Sequence, residues 1–480
     1  MNIRFVLYIL GALLCLEGTL LLLPGAVALI YGEHDLLSML YSSAIAFSIG
    51  GVFWLFNKNC SKEIGRREGF IIVVAVWFVF AFFGSLPFIF SGYVSSMTDA
   101  FFEAMSGFTT TGSTIIPDLE VLPHGLLFWR ALMHFTGGIG ILVLCIAVLP
   151  IFGVGSMNIY QAETATVSFG QRFSPRIKDT AKLIFRIYIV LTALCFLLYL
   201  PDMGEFDALC HAFSTTAVGG FSTKNASLGA YSAYSQYITM IFMLLCSCSF
   251  VLFFYAWKRE FRKISQNDEF RFYLMMILIV SFFVCTGLLL NNQGIEPAIR
   301  EGVFNVLSMI STTGYVVNDY MQWSPPMWLI VFFIAFIGGC AGSASGGLKM
   351  VRVLLLTRVI PIQLKKIIHP NAVIQVKLNG HNVSDEQMSR TLAFFMIFLC
   401  IDLLGIFLLM ICGLNFITAV GTGMTTLSNV GPGLDLTGPS SNFSQLPIAA
   451  KWVCSALMLL GRLEVYSILI LFSPAFWGKH

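Results

Sequence analysis

Four short strings of hydroxyl-bearing residues and glycine recur along this chain. The first is Thr109–Thr110–Thr111–Gly112 and the second runs from Ser214 to Ala217–Val218–Gly219–Gly220–Phe221. The third is Ser311–Thr312–Thr313–Gly314–Tyr315, and the fourth runs from Thr425 to Ser428–Asn429–Val430–Gly431–Pro432–Gly433. Each follows a half-length helical run and precedes a full-length apolar one. Glycine supplies positive φ angles that other residues reach only with strain. Threonine and serine supply hydroxyl acceptors and bind neighbouring backbone groups. A helix that stops half-way leaves unpaired backbone groups in hydrocarbon, which is tolerated only where protein or a water-filled cavity satisfies them. Four such elements around one axis can aim carbonyl oxygens inward and replace the water shell of a dehydrated cation. The short helices point their negative C-terminal ends the same way, and acids such as Glu103 and Asp207 near the outer mouth would concentrate cations. One Thr/Gly turn is an ordinary helix end; four in equivalent places are one site in four parts.

The elements that must position these turns are membrane helices. Of 480 residues 57% are hydrophobic and only 11% charged, against about a quarter charged in soluble domains. Apolar runs of about 20 residues recur, which excludes a soluble chain. From Glu68 a unit repeats: long apolar run, short amphipathic run, Thr/Gly turn, long apolar run. The chain divides into an N-terminal helix hairpin (1–68), a first repeat (69–152), a link and second repeat (153–260), a third repeat (261–360), a polar cytoplasmic loop (361–389) and a fourth repeat (390–480). The repeat length, on the order of 100 residues, is too long for a solenoid unit. Ala26–Val27–Ala28 resembles a leader-cleavage site, but Glu17 and the continuing apolar run argue that the segment is retained.

Two hairpin helices and eight repeat helices make about ten spans with both termini cytoplasmic. Basic stretches support that topology: Lys58 to Arg67, Arg172 to Lys182, Lys258 to Lys263, and Lys349 to Lys377. The opposite segments carry mostly acids, from Glu33 and Asp35 to Asp202 and Asp207, with Lys224 and Arg300 as exceptions. The basic runs suit lipid headgroups or an acidic partner. The cysteines stand alone or as Cys246 and Cys248, with neither a disulfide framework nor a CxxC pair. His134, Glu17 and the phenylalanine stripes read as helix packing, and His124 and His211 lie near the outer mouth.

The third repeat's second long run is interrupted by Gly338–Gly339–Cys340–Ala341–Gly342–Ser343–Ala344–Ser345–Gly346–Gly347. So much glycine breaks a helix, and its place below the turn makes it a candidate gate; close helix packing is the alternative. Gly342 and Gly347 have Walker spacing, but Leu348 stands where lysine is needed. Ser343 occupies the glycine place of a GxSG protease string. No nucleophile–base set emerges, and the chain does not read as an enzyme. Arg462 stands about 11 residues from Lys451, roughly 16 Å along a helix, near the middle of a hydrocarbon core about 30 Å thick. A charge there needs a wet cavity or a partner. The reading is a positive barrier under the turns that cooperates with the gate loop; the alternative is a structural pair with Asp402 or Glu464.

The chain resembles the potassium-translocating subunits of the bacterial Trk/Ktr/HKT superfamily, most closely the TrkH type. The likeness rests on the four turns, on Gly338–Ser343, on His369–Pro370–Asn371–Ala372 and on Gly461–Arg462–Leu463–Glu464–Val465, and spans essentially the whole chain. It implies an all-α polytopic fold of four M1–P–M2 repeats around a pseudo-fourfold pore. It implies a potassium selectivity filter at Thr110, Thr111, Gly112, Val218, Gly219, Gly220, Thr312, Thr313, Gly314, Asn429, Val430 and Gly431. It further implies a homodimer in the bacterial inner membrane, gated by a TrkA-like cytoplasmic ring that binds nucleotide, with potassium as cargo and no cofactor on this chain. Turns two and four depart from the TTxG pattern, so rubidium and some sodium would also permeate. A carrier coupling potassium to protons or sodium is the alternative; Asp402, Glu464 and Glu17 are the intramembrane carboxylates available to it.

Overall fold

The structure, a computed structural model, describes residues 2–61, 65–140, 177–291, 293–371 and 374–478. The end of the first repeat's second long run (141–152), the link from 153 with Arg172 and Arg176, Lys62, and Ala372 of the His369 string lie outside the described residues.

The fold is an all-α polytopic membrane fold. Among the described residues, six helices are long and apolar enough to cross a membrane, or eight when two bent pairs each count as one span. Their outward faces are apolar: Leu278, Phe282 and Phe283 on Asp268–Leu290 and Leu403, Leu404 and Phe407 on Asp385–Ile411 are exposed. Their inward faces bury Val280, Val284, Phe394 and Phe398. Apolar residues on both sides of a helix are what a lipid solvent demands.

The N-terminal hairpin pairs Ile3–Tyr31 with Leu36–Phe56. Its helices approach closely where Gly11 meets Gly50: a Cβ on Gly50 would lie 2.8 Å from the Gly11 carbonyl oxygen. Small residues permit that backbone approach.

Each repeat then delivers a leading helix, a short helix, a turn and a trailing helix. The leading helices are Arg66–Gly84, the first part of Ile177–Thr216, Asp268–Leu290 and Asp385–Ile411. The short helices are Met97–Phe108, the part of Ile177–Thr216 after the Gly204 kink, Ile295–Ile310 and Phe416–Leu427. Gly204 takes φ 73°, which lets the second repeat bend without an intervening loop.

The trailing helices add two breaks to the one expected in the third repeat. In the second repeat Ala233–Cys246 and Phe250–Trp257 meet at 93°, and in the fourth Ile448–Arg462 and Tyr466–Phe472 meet at 111°. The second break holds the glycine-rich loop of the third repeat: the Cys340 N–H donates to the Ser247 carbonyl at 2.9 Å and the Phe250 N–H to the Gly342 carbonyl at 3.0 Å. The fourth turns on Glu464 and Val465, both left-handed at φ 52° and 57°. The second-repeat break falls at Ser247–Cys248–Ser249 and the fourth-repeat break at Arg462–Leu463–Glu464, short polar strings inside otherwise apolar runs. In the third repeat Pro325–Ile337 and Met350–Ile368 flank the loop.

The polar segment after Met350–Ile368 folds into a hairpin, Lys377–Leu378 against His381–Asn382. Asn379 and Gly380 at φ 51° and 80° form its turn, as a two-residue hairpin requires. Asn379 exchanges two 2.8 Å hydrogen bonds with Asp268, which also receives Arg358 at 2.8 Å. Not every basic residue here is solvated: Lys349 and Arg352 are buried.

Candidate functional site

All four short helices end in one hydrogen-bond pattern. In the first, the Thr110 N–H donates to the Gly107 carbonyl at 3.1 Å and the Thr111 N–H to the Ser106 carbonyl at 2.9 Å. The same two bonds link Val218 to Thr215 and Gly219 to Ser214, Thr312 to Met309 and Thr313 to Ser308, and Asn429 to Thr426 and Val430 to Thr425. This is the Schellman closure, whose pivotal residue is left-handed and ordinarily glycine. Here it is Thr110 (φ 54°), Val218 (57°), Thr312 (63°) and Asn429 (54°). A β-branched residue there is strained, and Val218 most plainly so. Two positions on, Gly112, Gly220, Gly314 and Gly431 are left-handed again, at φ 83°, 83°, 77° and 103°.

The turns close into a ring in chain order. A Cβ on Gly112 would run into the carbonyl oxygen of Gly219, one on Gly220 into that of Thr313, and one on Gly314 into that of Val430. A Cβ on Gly431 would lie 2.8 Å from the carbonyl oxygen of Thr111. Each glycine is therefore required twice, by its φ and by the neighbouring turn's carbonyl.

Side chains cross-link each neighbouring pair of turns. Arg130, on the first trailing helix His124–Gly138, lies 2.8 Å from Glu103 and donates to the Ser222 carbonyl at 3.0 Å. Its guanidinium carbon sits 4.0 Å over the Phe221 ring. Glu103 also accepts from Thr114 and from the Ile115 N–H. The Tyr315 hydroxyl donates to the Phe221 carbonyl at 3.4 Å, joining turns three and two, and the Tyr320 hydroxyl donates to the Gly433 carbonyl at 2.9 Å, joining three and four. Ser113 donates to the Gly431 carbonyl at 3.2 Å, joining one and four.

Two expected mouth anions are otherwise employed. Glu103 is 0% exposed and neutralised by Arg130, so it holds the ring together instead of gathering cations. Asp207 accepts from Thr223 at 2.7 Å and Tyr231 at 2.9 Å, with Lys224 at 3.8 Å. His211 is buried with Nε2 2.9 Å from the Ser222 hydroxyl. Lys451 is buried too, and pairs at 2.7 Å with Asp99 at the start of the first short helix.

The glycine-rich loop abuts the ring. The Gly346 N–H donates to the Thr312 hydroxyl at 2.7 Å, and a Cβ on Gly346 would run into the Ser428 carbonyl oxygen. Gly338, Gly342 and Gly347 are left-handed, while Gly339, Cys340, Ala344 and Ser345 are buried. Ala341 donates through its N–H to Glu269, and Ser343 and Ser345 share a 2.7 Å hydroxyl contact. Arg462 reaches this loop: it donates to the Ala344 carbonyl at 2.9 Å and, from its other arm, to the Gly137 carbonyl at the end of the first trailing helix. Glu464 lies 2.6 Å from Arg352. Asp402 is buried, and its Oδ1 meets no hydrogen-bond partner among the described residues.

The sequence reading missed Arg130, Lys451 and His134 as parts of this assembly. Arg130 alone carried a signal, a cation inside an apolar run close after the first turn.

A family model described as TrkH, cation transport protein, matches residues 38–479. The chain is 38% identical over 490 residues to the Trk system potassium uptake protein TrkH of Salmonella typhimurium and to that of Escherichia coli K12, with 100% of each chain covered. It is 34% identical to the Trk system potassium uptake protein TrkG of E. coli K12, covering 99% of both. The crystal structure of the potassium transporter TrkH from Vibrio parahaemolyticus superposes with a TM-score of 0.89 at 34% identity, over 100% of both chains.

Proposed function

The chain belongs to the TrkH family of cation transport proteins, and we propose that it takes up potassium through a pore whose selectivity filter is the ring of four turns. The observation that carries this reading is the cyclic abutment of Gly112, Gly220, Gly314 and Gly431 on the carbonyls of Gly219, Thr313, Val430 and Thr111. Left-handed residues alternating with ordinary ones turn successive peptide planes so that neighbouring carbonyls face one side. Four such arcs give a cage of oxygens that replaces the hydration shell of a monovalent cation. The short helices end at the ring, adding the negative ends of their dipoles.

In this reading the flux is channel-like and the membrane potential drives it. Glu464 is engaged by Arg352, which takes one of the three intramembrane carboxylates away from a coupled carrier and favours the channel. The loop Gly338–Gly347 is the gate and Arg462 its latch and positive barrier. The protein sits in a bacterial inner membrane, its termini and the 361–389 loop on the cytoplasmic side. It works as a homodimer under a TrkA-like, nucleotide-binding cytoplasmic ring.

The test is purified protein in liposomes. Voltage-driven potassium uptake that exceeds sodium uptake, without stoichiometric proton or sodium movement, supports the reading. Obligatory co-transport supports the symporter instead. Adding a candidate cytoplasmic ring with nucleotide tests regulation in the same assay.

A further inference from the structure

The four turns share a backbone but not a brace. In the first, the Thr109 and Thr111 hydroxyls lie 2.8 Å apart, and in the third the Ser311 and Thr313 hydroxyls lie 2.7 Å apart. Each pair spans the strained left-handed residue between its members. The matching positions of the fourth turn are Ser428 and Val430, and there the left-handed residue braces itself. Asn429 Nδ2 donates to the Thr111 hydroxyl and to the Met458 carbonyl, both at 2.9 Å. The second turn has Ala217, Val218 and Gly219 at these places, with no polar side-chain atom among them.

His134 stands there instead, supplied by the first trailing helix. It is 0% exposed. Its Nδ1 lies 2.9 Å from the Ser214 hydroxyl and accepts from the Phe221 N–H at 3.4 Å. The ring stacks on Phe221 with centroids 4.0 Å apart and planes at 12°. A Cβ on Gly219 would run into Nδ1, so the imidazole occupies the space that a side chain at 219 would take. Gly219 is not left-handed, and its backbone would admit threonine; what excludes a side chain is His134. Nδ1 thus serves both the Ser214 hydroxyl and the Phe221 N–H, while Nε2 meets no hydrogen-bond partner among the described residues.

We propose that His134 is the brace of the second turn and thereby sets the selectivity of the ring, as a positioning residue acting through the Gly219–Phe221 backbone. The inference rests on the ring being a cation filter. It places one determinant of specificity on a helix of the preceding repeat, outside the turn it serves.

The experiment uses the full-length protein in planar bilayers with potassium on one side and sodium on the other, read as reversal potential. The variants are His134→Phe, which keeps the stack on Phe221 but removes the acceptor, His134→Ala, and a triple variant. The triple, His134→Ala with Gly219→Thr and Ala217→Ser, installs the hydroxyl pair of turns one and three. His134→Phe is expected to lower the potassium-to-sodium permeability ratio by about fivefold, the scale of one lost hydrogen bond. The triple variant is expected to regain most of the loss seen in His134→Ala. An unchanged ratio in His134→Phe, or a triple variant no more selective than His134→Ala, overturns the proposal. If His134→Phe does not yield monodisperse protein, the comparison of the triple variant with His134→Ala decides. Failure of the wild type to discriminate at all would instead overturn the filter reading itself.

Discussion

Arg462 and Ala344, 118 residues apart, are joined by a 2.9 Å hydrogen bond from guanidinium to carbonyl. That contact ties the fourth repeat to the glycine-rich loop of the third, and the second arm of Arg462 ties both to Gly137 of the first. A charge-assisted bond of this kind contributes about 1.5–3 kcal/mol, enough to favour one position of the loop.

Replacing Arg462 with glutamine should therefore raise basal cation flux by about tenfold, since one such bond is at least that factor. Arg462→Lys should raise it less, because the point charge stays while the two-armed geometry is lost. Flux into liposomes without a cytoplasmic partner measures both. Unchanged basal and activated flux in both variants would remove Arg462 from the gate.

Gly112→Ser should narrow the preference for potassium over sodium. The new Cβ has no room beside the Gly219 carbonyl, and the φ of 83° strains any side chain. The displaced atom is a backbone oxygen of the adjacent turn, so two walls of the ring shift together. A reversal potential equal to wild type would exclude this glycine from selectivity.

The Glu103–Arg130 pair makes a stability prediction. Both side chains are almost wholly buried, at 0% and 1% exposure. Glu103→Gln leaves a buried guanidinium without its counter-charge, a loss of about 3–5 kcal/mol. The double change Glu103→Leu with Arg130→Met should recover much of it. Thermal denaturation in detergent is the measurement, and an unshifted midpoint in Glu103→Gln would contradict the assignment.

Asp435 gives a pH prediction on the loop after the fourth turn. Hydrogen bonds from Asn415 and Thr418, both 2.8 Å, hold its carboxyl below the usual carboxylate range. A depressed folded-state value stabilises the loop above the unfolded value of about 3.9. That contribution is lost as pH falls through the folded value. Protease nicking of the 433–446 loop should therefore rise on acidification below about pH 4. Asn415→Ala should move the onset to higher pH; an onset at the same pH would contradict this.

What could be read from the sequence was whatever repetition made visible. Gly112, Gly220, Gly314 and Gly431 stand out because the same punctuation recurs four times between apolar runs. The left-handed residues before them do not: nothing about Val218 announces φ 57°, because tertiary closure imposes it against local preference. The breaks at Ser247–Ser249 and Glu464–Val465 are marked only by two serines in one and by Arg462 with Glu464 in the other, strings too short to read as breaks. The first receives the glycine-rich loop of another repeat, through bonds that link Cys340 to Ser247 and Phe250 to Gly342, and no local pattern announces that contact. Partnerships such as Lys451 with Asp99, separated by 352 positions, depend on the ring closing and have no local pattern. Glu103 was legible as an acid in the right place but not as one whose charge Arg130 cancels.

The most direct measurement of the central claim is anomalous diffraction from crystals of this protein soaked in rubidium or thallous ion. The account predicts a peak on the axis of the ring, within reach of the Thr111, Gly219, Thr313 and Val430 carbonyl oxygens. Bound ions found only elsewhere, with the centre of the four turns empty at saturating concentration, would contradict it.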